Sequence, residues 1–161
     1  MMLLSYSIPI IYILYNYCPE NNQSVSSVIG SKECQRFILG GMIVMGIFTI
    51  LYELNRTCIN NILSMYSIIG VLIGIYGVIL IKEDKKVHYL FASLVFLSII
   101  GFMATHCWYN FCNNFLKFSL YVQILFAGLL VFCIIMNMSI FGCETILIIN
   151  FAIYYLYLHN L

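Results

Sequence analysis

Few side chains in this 161-residue chain are suited to acid–base or metal chemistry. The groups nearest its apolar segments are Glu53, His88 and His106. The two histidines are 18 residues apart, one at each end of an apolar segment, so a straight helix would separate them by roughly 27 Å. They cannot share a metal ion, and we find no Ser-His-Asp or paired-carboxylate pattern in the sequence.

Three polar side chains remain candidates for function: His88, Glu53 and Gln123. His88 is either an interfacial residue or a functional group facing the loop after the first apolar segment. An intramembrane carboxylate is a functional candidate by default, but Glu53 is three residues before Arg56 near a segment end, which favours anchoring at the interface. Gln123 and Asn150 lie within apolar segments, where unsatisfied amides are costly, so both are predicted to form interhelical hydrogen bonds.

The seven cysteines include no C-x-x-C pair, which argues against a zinc framework or a thioredoxin-like motif. We therefore expect no metal and no cofactor. Cys18 and Cys34 flank the longest polar stretch; they form a disulfide if this stretch faces an oxidising compartment, and otherwise are two free thiols. Asn22 begins a match to the N-glycosylation pattern, as do Asn55 and Asn137.

The composition is that of a membrane protein, with 63% apolar and only 8% charged residues. A soluble domain has about a quarter of its residues charged. A net charge of +1 gives no electrostatic support for nucleic-acid binding, so membrane lipids are the expected partners.

The apolar segments predict an all-α transmembrane bundle in a single domain, most simply with six spanning helices. A helix of about twenty residues crosses a hydrocarbon core of about 30 Å. The first segment lacks the basic region and cleavage site of a secretory signal, so it is interpreted as a retained span. The predicted spans are residues 1–17, 37–54, 62–81, 87–105, 118–136 and 145–158.

The third segment carries a strip of small residues, Gly70, Gly74 and Gly77. In lipid, small residues let helix backbones approach closely. Packing within the chain is the favoured interpretation, and a homo-oligomer or a membrane-protein partner is the alternative.

A series of motifs between residues 26 and 104 runs through the first loop and the next three spans. They are residues 30–37 (GSKECQRF), Asn61 with Ser64, Ile69 with the three glycines of the strip, and His88 with Ala92. They resemble the Frag1/DRAM/Sfk1 group of six-span membrane proteins, and a bacterial six-span family of the DUF998 type shares much of the pattern. The resemblance implies a protein of lipid handling or trafficking in an endomembrane or the plasma membrane.

The functional hypothesis is therefore a multi-pass, non-catalytic regulator or accessory factor in lipid handling. Two alternatives remain open. One is a small oligomeric channel or transporter, and the other is a structural component of a viral envelope or an inner membrane. An intramembrane lipid enzyme using His88, His106 or Glu53 is the least favoured interpretation, because too few titratable groups gather on one side.

Orientation can be tested directly. The positive-inside count places five cations with the first loop and two with the termini, which would put the loop in the cytosol. The family resemblance implies the reverse, and we adopt it because Cys18, Cys34 and Asn22 suit a luminal loop. A reporter fused to the C-terminus should then be cytosolic; a luminal or extracellular C-terminus would contradict this orientation.

Overall fold

A computed structural model of the chain describes residues 2–16, 24–29, 32–55, 62–81, 86–109 and 113–160. Over these ranges the structure contains seven helices and no strand. They are α1 (Met2–Tyr15), α2 (Val25–Ile29), α3 (Lys32–Asn55), α4 (Ile62–Leu80), α5 (Lys86–Tyr109), α6 (Asn114–Ile135) and α7 (Phe141–Asn160).

Among the described residues, five helices have the length and composition of a membrane span: α3, α4, α5, α6 and α7. The all-α prediction is confirmed there, but the sixth span is not. α1 has 14 residues, which corresponds to about 21 Å and falls short of a core of about 30 Å.

The predicted loop between the first two spans is partly wrong, because it contains α2 and the start of α3. Val25, Val28 and Ile29 are spaced as one face of a helix, and all three are buried. Ser24 precedes them and its Oγ accepts a hydrogen bond from the Ser27 N–H at 2.9 Å, which fits a helix start. A short apolar face was therefore hidden within a polar composition.

The six longer helices form a closed ring. α1 packs against α3, α3 against α4, α4 against α5, α5 against α6, α6 against α7, and α7 against α1. α2 contacts α1, α3, α4 and α7. We call the end of the ring that carries α2, the start of α7 and the end of α4 the α2 end; the other is the opposite end.

The predicted glycine strip lies at the contact between α4 and α5. A Cβ atom on Gly74 would lie 2.9 Å from the Val95 backbone nitrogen and 3.0 Å from the Phe91 carbonyl oxygen. A Cβ atom on Gly77 would collide with the Phe91 ring. The strip thus packs within the chain, and at Gly74 the absence of a side chain lets the two backbones approach closely.

A well-defined turn joins α6 to α7. Asn137 adopts a left-handed conformation with φ of 53°. Its N–H donates to the Ile134 carbonyl at 3.3 Å, and the Met138 N–H donates to the Cys133 carbonyl at 2.9 Å. This is the hydrogen-bond pattern of a Schellman motif, which ends a helix sharply. α7 then begins at Phe141, four residues before the predicted start of the last span.

Replacement of Gly74 by Ala should destabilise the protein by about 1–3 kcal/mol, because backbone atoms of α5 must move to admit the methyl group. Gly128→Ala is the matched control, since nothing lies within 4 Å of a Cβ atom there. Thermal and denaturant unfolding in detergent micelles would compare the two. Equal stabilities of the two variants would contradict the proposed backbone contact.

Candidate functional site

The ring of helices encloses a cavity of about 130 Å³. Its walls are predominantly apolar and come from α1, α2, α3, α4, α5 and α7. Representative wall residues, one from each of these helices, are Ile13, Val25, Met42, Val71, Ile99 and Ala152. An engineered apolar cavity of about 150 Å³ stays dry and takes up benzene or xenon. This cavity has the size and the chemistry to do the same.

Three polar side chains border the cavity, and each already makes a hydrogen bond within the protein. The Thr49 hydroxyl donates to the Met45 carbonyl at 2.8 Å. The Tyr155 hydroxyl donates to a carboxylate oxygen of Glu53 at 2.8 Å. The Glu144 carboxylate accepts from the Val25 N–H at 2.6 Å. The cavity is therefore suited to apolar rather than to polar groups.

Three aromatic rings pack together at the end of the cavity farther from α2. The centroid of Phe102 lies 6.0 Å from that of Phe151 and 5.9 Å from that of Tyr155. The centroids of Phe151 and Tyr155 are also 5.9 Å apart. Each ring thus contacts the other two, at separations typical of favourable aromatic pairs. This aromatic floor closes the cavity toward the opposite end.

At the α2 end, α2 covers the cavity with two of its own side chains, Val25 and Ile29. The helix is held by the hydrogen bond between its first N–H and Glu144 in the first turn of α7. The sequence alone did not indicate this pairing of Glu144 with α2. The spacing of Val25, Val28 and Ile29 is the signal from which a buried helix could have been predicted here.

His88 joins the first turn of α5 to the end of α4 and does not line the cavity. The side chain is 1% exposed, and its Nδ1 lies 2.7 Å from the Ile81 carbonyl oxygen, so that a protonated Nδ1 donates to it. Its Nε2 has no hydrogen-bond partner in the described part of the chain. Ala92, one turn further along α5, does line the cavity.

The prediction that Glu53 anchors the chain at the interface is wrong, because the side chain is only 4% exposed. It points into the bundle and bonds Tyr155 across the ring. The position near a segment end suggested a headgroup contact, but α3 turns this side chain toward α7. Arg56, the expected neighbour, lies outside the described residues.

Gln123 and Asn150 are partners of each other. The Asn150 amide donates to the Gln123 side-chain oxygen at 2.7 Å and to the Ser119 carbonyl at 3.0 Å. The Ser119 hydroxyl donates back to Asn150 at 2.8 Å. Gln123 is fully buried, and its Nε2 has no partner among the residues described. The three residues join α6 to α7, away from the cavity walls.

Several sequence predictions cannot be placed. Cys18 and Asn22 lie outside the described residues, and the side chain of Cys34 is not described. Within the described ranges no group of three or more His, Cys, Asp or Glu side chains is arranged to hold a metal ion. His88 and His106 lie at the two ends of α5, and the His106 ring packs near those of Phe102 and Tyr154.

Comparisons of the chain with protein-family models, with curated proteins and with solved structures find no match.

Asn150→Leu should destabilise the protein more than Gln123→Leu does. Removing Asn150 leaves the Ser119 and Gln123 groups without their partner, which should lower the free energy of unfolding by about 1–2 kcal/mol. Gln123→Leu leaves one Asn150 amide hydrogen without its acceptor, but it also removes an amide nitrogen that has no partner in the described structure, so the net loss should be smaller. Unfolding of both variants in detergent tests this order, and a larger loss for Gln123→Leu would contradict the assignment.

Proposed function

We propose that this protein is a non-catalytic accessory factor in membrane lipid handling, which holds an apolar molecule inside its helical ring. The observation that carries the proposal is the apolar cavity between α2 and the aromatic floor. Apolar sites with few polar groups bind hydrocarbon ligands, and a membrane protein is surrounded by lipid chains.

The polar side chains support a non-catalytic role because they are engaged in holding helices together. The His88 Nδ1 pairs with the end of α4, Glu53 with α7, and Gln123 with Asn150. Catalytic groups would instead converge on one accessible site. These residues lie at three separate positions around the ring.

A channel is the weaker alternative. The polar side chains within the spans that could line a pore are Thr49, Ser98, Gln123 and Asn150. The Thr49 hydroxyl is bonded to its own helix, Ser98 contacts the Gly70 position, and the two amides lie between α6 and α7. They do not follow one continuous path, which a polar ion pathway would require.

The proposal includes a sixth membrane helix and a location in an endomembrane or the plasma membrane, as for the Frag1/DRAM/Sfk1 group. α1 packs between α3 and α7, and its residues Ile10 and Ile13 line the cavity. A short helix in this position sits within the bilayer, which thins locally or lets flanking residues reach the interface. Membrane lipids are its partners, with a membrane-protein partner or a second copy at the outer helix faces.

Native mass spectrometry of the purified protein, released gently from detergent, tests the proposal. We expect a lipid to be retained, and liposomes containing the protein to conduct no ions. His88→Ala should leave the lipid composition of producing cells unchanged, since its ring only joins the first turn of α5 to the end of α4. Protein without lipid that conducts ions, or a changed lipid composition in the variant, would contradict the proposal.

A further inference from the structure

We propose that the cavity holds one acyl chain of a lipid from the leaflet at the α2 end, with its methyl end against the aromatic floor. The inference rests on the proposed function and specifies its ligand class. It draws on the volume of the cavity, the length of its wall, its closure and its position.

The length of the cavity matches one leaflet. Its walls run along α7 from Glu144 to Tyr155, and along α5 from Ala92 to Phe102. At 1.5 Å per residue these stretches measure about 15–16 Å. One leaflet contributes half of a hydrocarbon core of about 30 Å, which is the same depth. A lipid chain lying along the helices therefore covers the same depth as the cavity wall.

The volume of the cavity favours a chain over fused rings. At about 130 Å³ it is close to the volume of the apolar cavity that takes up one benzene molecule. It is too small for the four fused rings of a sterol, whereas a flexible chain can place its terminal methylene groups in it. The wall is apolar along its length, so the enclosed part of the ligand is hydrocarbon only.

The two ends differ, and the difference sets the orientation. On α4 the cavity wall runs from Ile68 to Ile79, next to the last residue of that helix at the α2 end. At the other end of α4 the cavity wall stops at Ile68, six residues after the helix begins and at the level of the aromatic floor. A chain therefore enters beside α2, and its polar group stays at the membrane surface there.

Two alanines in the wall lie near opposite ends of the cavity. Ala92 on α5 is near α2, whereas Ala152 on α7 is three residues before Tyr155 of the aromatic floor. Ala92→Phe should block the entrance beside α2 and abolish binding of chains of every length. Ala152→Phe should shorten the cavity at the aromatic floor. Short chains should then still bind, but the affinity should stop rising at a shorter chain length.

The test is a binding series of fatty acids and lysophosphatidylcholines with increasing chain length, read by native mass spectrometry. A diacyl phosphatidylcholine and cholesterol are the comparison ligands. Affinity for the unchanged protein should rise about fourfold per methylene until the cavity is full, and then level off. In Ala152→Phe it should level off at a shorter chain. Ala104→Phe, at an exposed position of α5, the helix that carries Ala92, is the matched control and should behave like the unchanged protein.

The fatty acid, lysolipid and diacyl arms identify the source of the chain, and binding of any of them with this length dependence supports the inference. Cholesterol binding alone, or lipid binding that neither cavity variant alters, would overturn the inference but leave the proposed function intact. If Ala152→Phe abolished binding of all chains and Ala92→Phe only lowered the length limit, the proposed orientation would be overturned. Absence of any bound lipid would overturn both proposals. Ala92→Leu and Ala152→Leu replace the larger substitutions if these prevent folding.

Discussion

At Gly74 the backbone of α4 comes close to that of α5, and a Cβ atom there would lie 2.9 Å from the Val95 nitrogen. Water drives helices together in a soluble protein, but lipid tails are as apolar as the side chains themselves. Close backbone contact replaces that driving force here. The α4–α5 pair forms the fixed wall on which α3 and α6 pack, and the ring closes from these through α7 and α1.

The few polar side chains then determine which helix faces meet. An unsatisfied polar group in hydrocarbon is costly, so each of these groups favours the arrangement that supplies a partner. Glu53 joins α3 to α7 through Tyr155, Asn150 joins α7 to α6, and Glu144 fixes α2 on α7. Because the few polar groups form hydrogen bonds within the protein, the centre of the ring is left apolar.

Helix type and the glycine contact followed from the sequence because each depends on local composition. The number of spans did not: six were predicted, and five helices in the described ranges have the length and composition of a span. The interhelical role of Gln123 followed from the cost of a buried amide, but its partner did not, since pairing depends on how the helices rotate. Glu53 was misplaced for the same reason. α2 was missed because its apolar face has only three residues, and the cavity was missed because a void has no residue pattern.

The central claim is that lipid hydrocarbon occupies the interior of the ring. Solid-state NMR of methyl-labelled protein in bilayers tests it most directly, through contacts between methyl groups and lipid-chain methylenes. Val71 and Ile73 lie on the same helix; Val71 lines the cavity, whereas Ile73 is on the exposed face. The account predicts chain contacts at both residues. Contacts at Ile73 with none at Val71 would contradict it.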